Sequence, residues 1–202
     1  MVEKLVDDIP QVCHPERCDW GQKQHRLRGY PLVAALLWMT SQMPDDKALR
    51  QQIAKTLDWE ESHASFDAAV KGLPAALRGQ VPKGLPYSPW QLVEHIRITQ
   101  ADILEFCVAP KYAEKEWPKG YWPESAEPPS AKAWDESIAA IKRDQAALAK
   151  LATDPKIDLT APVPNGTGQT YLREVLLTAD HTAYHTGELI VVRRLLGAWP
   201  AA

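Results

Sequence analysis

The chain has 202 residues, and 23 Lys and Arg against 26 Asp and Glu leave a formal net charge of −3. Nucleic-acid-binding domains concentrate positive charge for the phosphates, so this balance argues against a nucleic-acid partner. An apolar share of 45% and a charged share of 24% are ordinary for a globular domain and argue against disorder of the whole chain.

The sequence predicts a cytoplasmic protein. The longest apolar run, residues 32–39, is far shorter than the roughly 20 residues that cross a bilayer. The amino terminus is acidic, which does not resemble a signal peptide. Three scattered cysteines are too few for a disulfide framework, and this indicates a reducing compartment.

Residues 1–43 differ in character from the rest, and we treat them as an N-terminal extension to a domain that spans residues 44–202. They contain a group of residues that only loosely resembles a zinc site, because no two cysteines have the short spacing of zinc ribbons. That group is Cys13, His14, Cys18 and His25. An alternative is that the native chain starts at Met39 or Met43.

The 17 prolines divide the rest of the chain, and the stretches between them have the length and character of helices. Four long stretches contain no proline: Asp45–Leu73, Trp90–Ala109, Ser130–Asp154 and Asn165–Trp199. They predict an all-α protein, a four-helix bundle with long connections rich in proline and tryptophan. The first stretch is one helix or two, with a break near Asp58 and Trp59.

Local signals agree with these helices. Ser88 and Gln91 form a capping box with Pro89 at the first helical position. Ser130 and Thr170 are suitable N-caps, and Gly197 is suited to a left-handed cap after the last helix. Prolines 162 and 164 limit any strand beside the Asn165-Gly166 turn to an edge position.

The segment between the second and third predicted helices carries Trp117, Tyr121 and Trp122 among five prolines. A free linker would seldom contain such large apolar groups. We expect a rigid connection that its aromatic side chains hold against the bundle, forming one wall of a pocket. The alternative is plain packing.

Two histidines of the last predicted helix, His181 and His185, are four residues apart and therefore share one helix face. Together with Thr178 and Glu188 they form a narrow polar stripe on a helix that is otherwise apolar nearly all round. His95 on a facing helix is the natural third ligand. Three histidines with one open position are typical of a catalytic metal site. The alternative is three core histidines that are hydrogen-bonded to carbonyl groups.

These residues lie in motifs that resemble the DinB-like superfamily, the DinB/YfiT-like metalloenzymes. The resemblance extends over about residues 45–199, and four stretches carry it: 88–106, 121–123, 168–174 and 179–199. It implies a four-helix bundle that holds a divalent metal ion on His95, His181 and His185. It also implies a homodimer, which would suit the apolar last helix.

The resemblance implies a metal-dependent enzyme that acts on small molecules, with thiol-dependent S-transfer as the leading reaction and a low-molecular-weight thiol as cosubstrate. A metal ion with an open position can bind a thiol and favour the nucleophilic thiolate. The alternatives are a metal-dependent hydrolase and a non-catalytic metal-binding or stress-associated protein. Imidazole suits several metals, and zinc and nickel are the leading ones.

The sequence departs from the common family pattern after the last histidine, where many members have Arg-Gly-Gln and this chain has Thr186, Gly187 and Glu188. Glu188 is therefore a candidate catalytic base. The alternatives are a carboxylate that orients a metal ligand and a charge on the helix surface. His63 could also face the site, although a packed or solvated histidine is the simpler interpretation.

Overall fold

The structure, a computed structural model, describes residues 46–200. This range contains five α-helices and no β-strand, so the all-α class is confirmed. In chain order the helices are α1 (Asp46–Lys55), α2 (Phe66–Val70), α3 (Pro89–Val108), α4 (Ala133–Thr153) and α5 (Tyr171–Leu195). The predictions for residues 1–43, including the domain boundary and the zinc alternative, lie outside the described residues.

The first proline-free stretch does not form a long helix, which corrects the expectation of four long helices. Helix α1 ends after ten residues and passes into a 3₁₀ turn at Thr56–Asp58, and α2 has only five residues. The predicted break near Asp58 and Trp59 is confirmed, because the backbone adopts an extended conformation at Trp59. The segment that follows contains side chains that compete for backbone hydrogen bonds, and Ser65 uses its hydroxyl to cap α2.

Ser88, Thr170 and Gly197 take the predicted capping positions, whereas Lys132 and not Ser130 is the N-cap of α4. At the start of α3, the Ser88 hydroxyl accepts from the Gln91 N–H at 3.2 Å and the Gln91 side chain accepts from the Ser88 N–H at 3.1 Å. Thr170 caps α5 by accepting from the Arg173 N–H at 3.2 Å. Gly197, with φ of 68°, follows the end of α5. These capping contacts set where the two histidine-bearing helices begin and end.

The helices pack around two apolar clusters. One, around Trp90 and Trp134, joins α2, α3, α4 and α5, and the other, around Ile103 and Leu148, joins α1, α3, α4 and α5. Helix α3 contacts both α4 and α5 along its length. The middle of α5 carries polar side chains between Val175 of the second cluster and Leu189 of the first. This polar part of the core is where the histidines lie.

The α3–α4 connection (residues 109–132) contains a 3₁₀ turn at Lys119–Tyr121. Trp122, directly after it, packs against the first cluster, whereas Trp117 is 75% exposed. The prediction that aromatic side chains hold this connection in place is therefore correct for Trp122 and wrong for Trp117. No helix in the described part of the chain combines the length and the apolar character that crossing a membrane requires.

Candidate metal centre

Helices α3 and α5 bring the three predicted ligands together. His95 lies in the second turn of α3, and His181 and His185 lie on adjacent turns in the middle of α5. One ligand atom from each histidine lies within 4.8 Å of the others. The Nε2 atoms of His95 and His181 are 3.0 Å apart. A single ion can therefore reach all three side chains after small rotations of the rings.

Two of these imidazoles are oriented by hydrogen bonds at Nδ1. His95 Nδ1 lies 2.7 Å from the carbonyl oxygen of Tyr121, and since a carbonyl only accepts, this nitrogen carries the proton. His185 Nδ1 donates to Glu188 Oε2 at 2.7 Å. Both contacts leave Nε2 with a free lone pair, which is the form that binds a metal.

The surroundings lower the pKa of two of the three histidines. Burial lowers the pKa of His95 from its ordinary value. Burial, followed by the proximity of His185 and His95, lowers the pKa of His181 to about 3. Neutral imidazole is the form that binds a divalent cation of the zinc or nickel type, so these shifts favour metal binding by His95 and His181.

Glu188 lies behind His185. Its Oε1 accepts from the Tyr87 hydroxyl at 3.1 Å, while its Oε2 accepts from His185. The carboxylate is therefore engaged on both oxygens by groups beside the cluster. Its predicted role as a catalytic base stays a prediction.

Two stacked rings, Trp122 and Tyr87, cover one side of His95. The Trp122 ring lies parallel to His95 with centroids 3.8 Å apart and an interplanar angle of 5°. The Tyr87 ring stacks on Trp122 in turn, with centroids 5.3 Å apart. Tyr87 therefore joins the two sides of the site, because its ring contacts the stack and its hydroxyl donates to Glu188.

A cavity of about 760 Å³ opens beside His95 and His181. Its walls come from α3, α5, residues 165–169 and the α3–α4 connection, which supplies Tyr112, Glu114, Trp117 and Tyr121. The prediction that this connection forms a pocket wall is therefore correct. A small molecule in this cavity would lie directly against two of the three histidines.

His63 does not join the cluster. It lies in the exposed segment before α2, where Nδ1 is 3.2 Å from the carbonyl oxygen of Ala64. The solvated interpretation of this residue is the correct one. Sequence reasoning missed Tyr87 and the Tyr121 carbonyl, since neither belongs to a spacing that predicts a contact with a histidine on another helix.

A helical protein whose two facing helices bring three imidazoles together belongs to the class of candidate metal-binding proteins. The family model of the DinB superfamily matches residues 58–189, well over half of the chain and a range that includes all three histidines. The chain therefore belongs to the DinB superfamily. No curated protein and no solved structure matches it significantly.

Proposed function

We propose that this protein is a metal-dependent enzyme that binds one divalent ion on His95, His181 and His185 and acts on a small molecule in the adjacent cavity. The observation that carries the proposal is the convergence of three imidazoles, two of which line that cavity. A structural zinc site is usually closed by four protein ligands. The group found among the described residues has three, which supports an open, catalytic position.

The surrounding residues prepare the ligands for the ion. The Tyr121 carbonyl and the Glu188 carboxylate hold the Nδ1 protons of His95 and His185, so that both rings present Nε2. We assign Glu188 an orienting role of this kind, and a catalytic role as a base is the alternative. Trp122 shields one face of His95 from water.

The leading reaction is the transfer of a low-molecular-weight thiol to a small electrophile. His95, His181 and His185 would hold a zinc or nickel ion, which would supply Lewis acidity and favour the thiolate form of a bound thiol at neutral pH. Membership of the DinB superfamily and the room beside His95 and His181 support this reaction class. The net charge of −3 favours a small-molecule substrate over nucleic acid, and the three scattered cysteines favour a cytoplasmic location.

We also propose that the protein is a homodimer. Helix α5 leaves four large apolar side chains exposed by 44% to 63%, and a second copy would cover them. These side chains are Leu176, Tyr184, Val191 and Leu195. Light scattering coupled to size-exclusion chromatography should give the mass of a dimer, and the mass of a monomer at micromolar concentration would contradict this proposal.

Metal content tests the ligand assignment. Purified wild-type protein should carry nearly one equivalent of a divalent metal, and His95→Ala and His181→Ala should lose it, because each removes one of three ligands. His63→Ala is the matched control, since this histidine is exposed and lies apart from the cluster. Equal metal content in all four proteins would contradict the assignment.

A panel of low-molecular-weight thiols and electrophiles tests the reaction. Metal-loaded wild type should form a thioether product that His181→Ala does not form. An absence of turnover with every thiol, together with a large fall in melting temperature on chelation, would support the non-catalytic alternative instead.

A further inference from the structure

A buried carboxylate lies on the same helix face as the first metal ligand. Asp102 follows His95 by seven residues on α3, which places both on one side of the helix, two turns apart. The side chain is 8% exposed and lines the cavity that reaches His95. A carboxylate in such a position needs partners, because burial of an unpaired charge is strongly unfavourable.

Within the described part of the chain, the side chains that partner Asp102 come from the α3–α4 connection. Its Oδ2 accepts from the hydroxyls of Tyr112 and Tyr121 at 3.0 and 2.9 Å. Its Oδ1 lies 3.3 Å from the Lys115 ammonium group. Asp102 therefore attaches this irregular segment to α3 at three points.

One of these three partners, Tyr121, also contacts the proposed metal ligand His95. Tyr121 contacts Asp102 through its hydroxyl, and its carbonyl accepts the Nδ1 proton of His95 at 2.7 Å. The two contacts hold the residue from opposite ends, so the direction of the carbonyl depends on where the phenol is anchored. The stack of Trp122 on His95 fixes the plane of the ring but provides no hydrogen-bond acceptor.

The local packing of the connection agrees with such a role. Gly120, next to Tyr121, lies so close to Lys115 that a Cβ atom there would come within 2.9 Å of the lysine Cβ. The Gly120 N–H donates to the Glu116 carbonyl, and the Tyr121 N–H donates to the Pro118 carbonyl at 3.1 Å. The anchored lysine and the anchored tyrosine are thus parts of one tight turn.

We propose that Asp102 is a positioning residue for the metal centre, which through Tyr121 holds the carbonyl that orients His95. This inference rests on the proposed function in one respect: the three histidines must bind a metal. It assigns to the cavity wall a second task, because the segment that encloses the small molecule also sets the orientation and basicity of a ligand.

The sharpest test compares Tyr121→Phe with Tyr112→Phe. Each variant removes one hydroxyl that donates to the same oxygen of Asp102, but only Tyr121 carries the carbonyl that His95 uses. Loss of an orienting partner typically lowers metal affinity 10- to 100-fold, so we expect Tyr121→Phe to raise the dissociation constant for Co²⁺ about tenfold. Tyr112→Phe should change it by less than about twofold.

Metal affinity and the Co²⁺ spectrum distinguish a positioning role of Tyr121 from a general contribution to protein stability, and melting temperatures provide the control. Chelator competition gives the Co²⁺ dissociation constant, and the visible absorption of the Co²⁺ form reports ligand geometry. The spectrum should change in Tyr121→Phe and remain that of wild type in Tyr112→Phe. Melting temperatures of the metal-free proteins should be similar for the two variants.

Variants of Asp102 itself complete the test. Asp102→Asn keeps an acceptor oxygen for the phenols and should retain most of the affinity, whereas Asp102→Leu should match or exceed the loss in Tyr121→Phe. If Asp102→Leu does not fold, the tyrosine pair still decides the question. Equal Co²⁺ affinities in the two tyrosine variants would overturn the inference, although the metal site would stand. A wild-type protein that binds no metal would overturn the proposed function and this inference together.

Discussion

The two buried histidines of the cluster are oriented in different ways. His185 donates to Glu188, which lies three residues further along the same helix. His95 donates to the carbonyl of Tyr121, which is 26 residues away in an irregular connection. Helix geometry alone brings the first pair together, whereas the second pair meets only when the connection is held against α3. The same orienting contact is thus local on the His185 side of the site, whereas on the His95 side it depends on tertiary structure.

The largest effect is expected from acid on the metal-free protein, since His95 and His181 both have lowered pKa values. The pKa of His95 is lowered by burial, and that of His181 is lowered to about 3 by burial and the neighbouring histidines. Below about pH 6.5 these two histidines bind protons in the unfolded chain but stay unprotonated in the folded chain until a lower pH. The free energy of unfolding should therefore fall as the pH decreases from about 6.5 towards 3.

Urea denaturation at a series of pH values measures this dependence. His181→Gln should have a shallower slope than wild type, and His63→Gln, at an exposed position, should keep the wild-type slope. The same slope in all three proteins would mean that His181 titrates normally in the folded chain.

The second prediction compares aromatic contacts on the two sides. Trp122 stacks on His95 and packs against the core, whereas Tyr184 meets His185 edge-on and is 63% exposed. Replacement of a buried aromatic residue by alanine costs about 3–5 kcal/mol, and the half-buried Trp122 should cost about 2–3 kcal/mol of unfolding free energy. Tyr184→Ala should change the unfolding free energy of the monomer by less than about 0.5 kcal/mol, so both variants are compared at a protein concentration below that at which the proposed dimer forms.

Chemical denaturation of the metal-free proteins checks this difference. Similar losses in the two variants would show that the connection is no better attached than an exposed side chain, and would weaken the contrast between the two sides.

The third prediction concerns the His185 side of the site, where the orienting contact is local. Glu188→Ala removes the acceptor of the His185 Nδ1 proton, and metal affinity should fall about 10- to 100-fold. Competition with a chelator measures the change. Asp180→Ala is the matched control, because Asp180 is an exposed acidic residue of the same helix, and it should leave the affinity unchanged. Equal affinities in both variants would show that Glu188 does not orient the ligand.

The smallest effect separates the two sides most clearly. Tyr87 donates to Glu188 as Tyr121 donates to Asp102, but the helix itself already holds Glu188 beside His185. Tyr87→Phe should therefore raise the dissociation constant by no more than about twofold, against about tenfold for Tyr121→Phe. Chelator competition on both variants under one set of conditions provides the measurement. Equal losses would mean that the local side also depends on its tertiary contact.

Several parts of the fold and the site could be predicted from local pattern. Pro89 and the Ser88 capping box mark the start of α3, and the spacing of His181 and His185 places them on one face of α5. Such signals are short-range, since they depend on the geometry of one helix turn. His95 could be chosen as the third ligand because it lies on an apolar helix that had to pack against α5.

Other parts could not be predicted. The stretch Asp45–Leu73 has no proline to mark its breaks; its break near Asp58 could be predicted, but the place and short length of α2 depend on capping by Ser65 and on packing against α5. The aromatic content of the α3–α4 connection indicated attachment, but it did not distinguish the exposed Trp117 from the stacked Trp122. That choice depends on which side chain the folded connection directs towards the core.

Local sequence patterns are sufficient to predict the all-α class, the approximate ends of the long helices and the local half of the candidate metal centre. Proline exclusion, capping and helical periodicity act over a few residues, so they can be recognised before folding is considered. The tertiary structure was needed to show that Asp102, Tyr121 and His95 form one chain of contacts. It was also needed to show that the Tyr87 hydroxyl donates to Glu188 on the His185 side of the site. The reason is that a hydrogen bond between residues far apart in sequence depends on the packing of whole elements, and no local pattern encodes it.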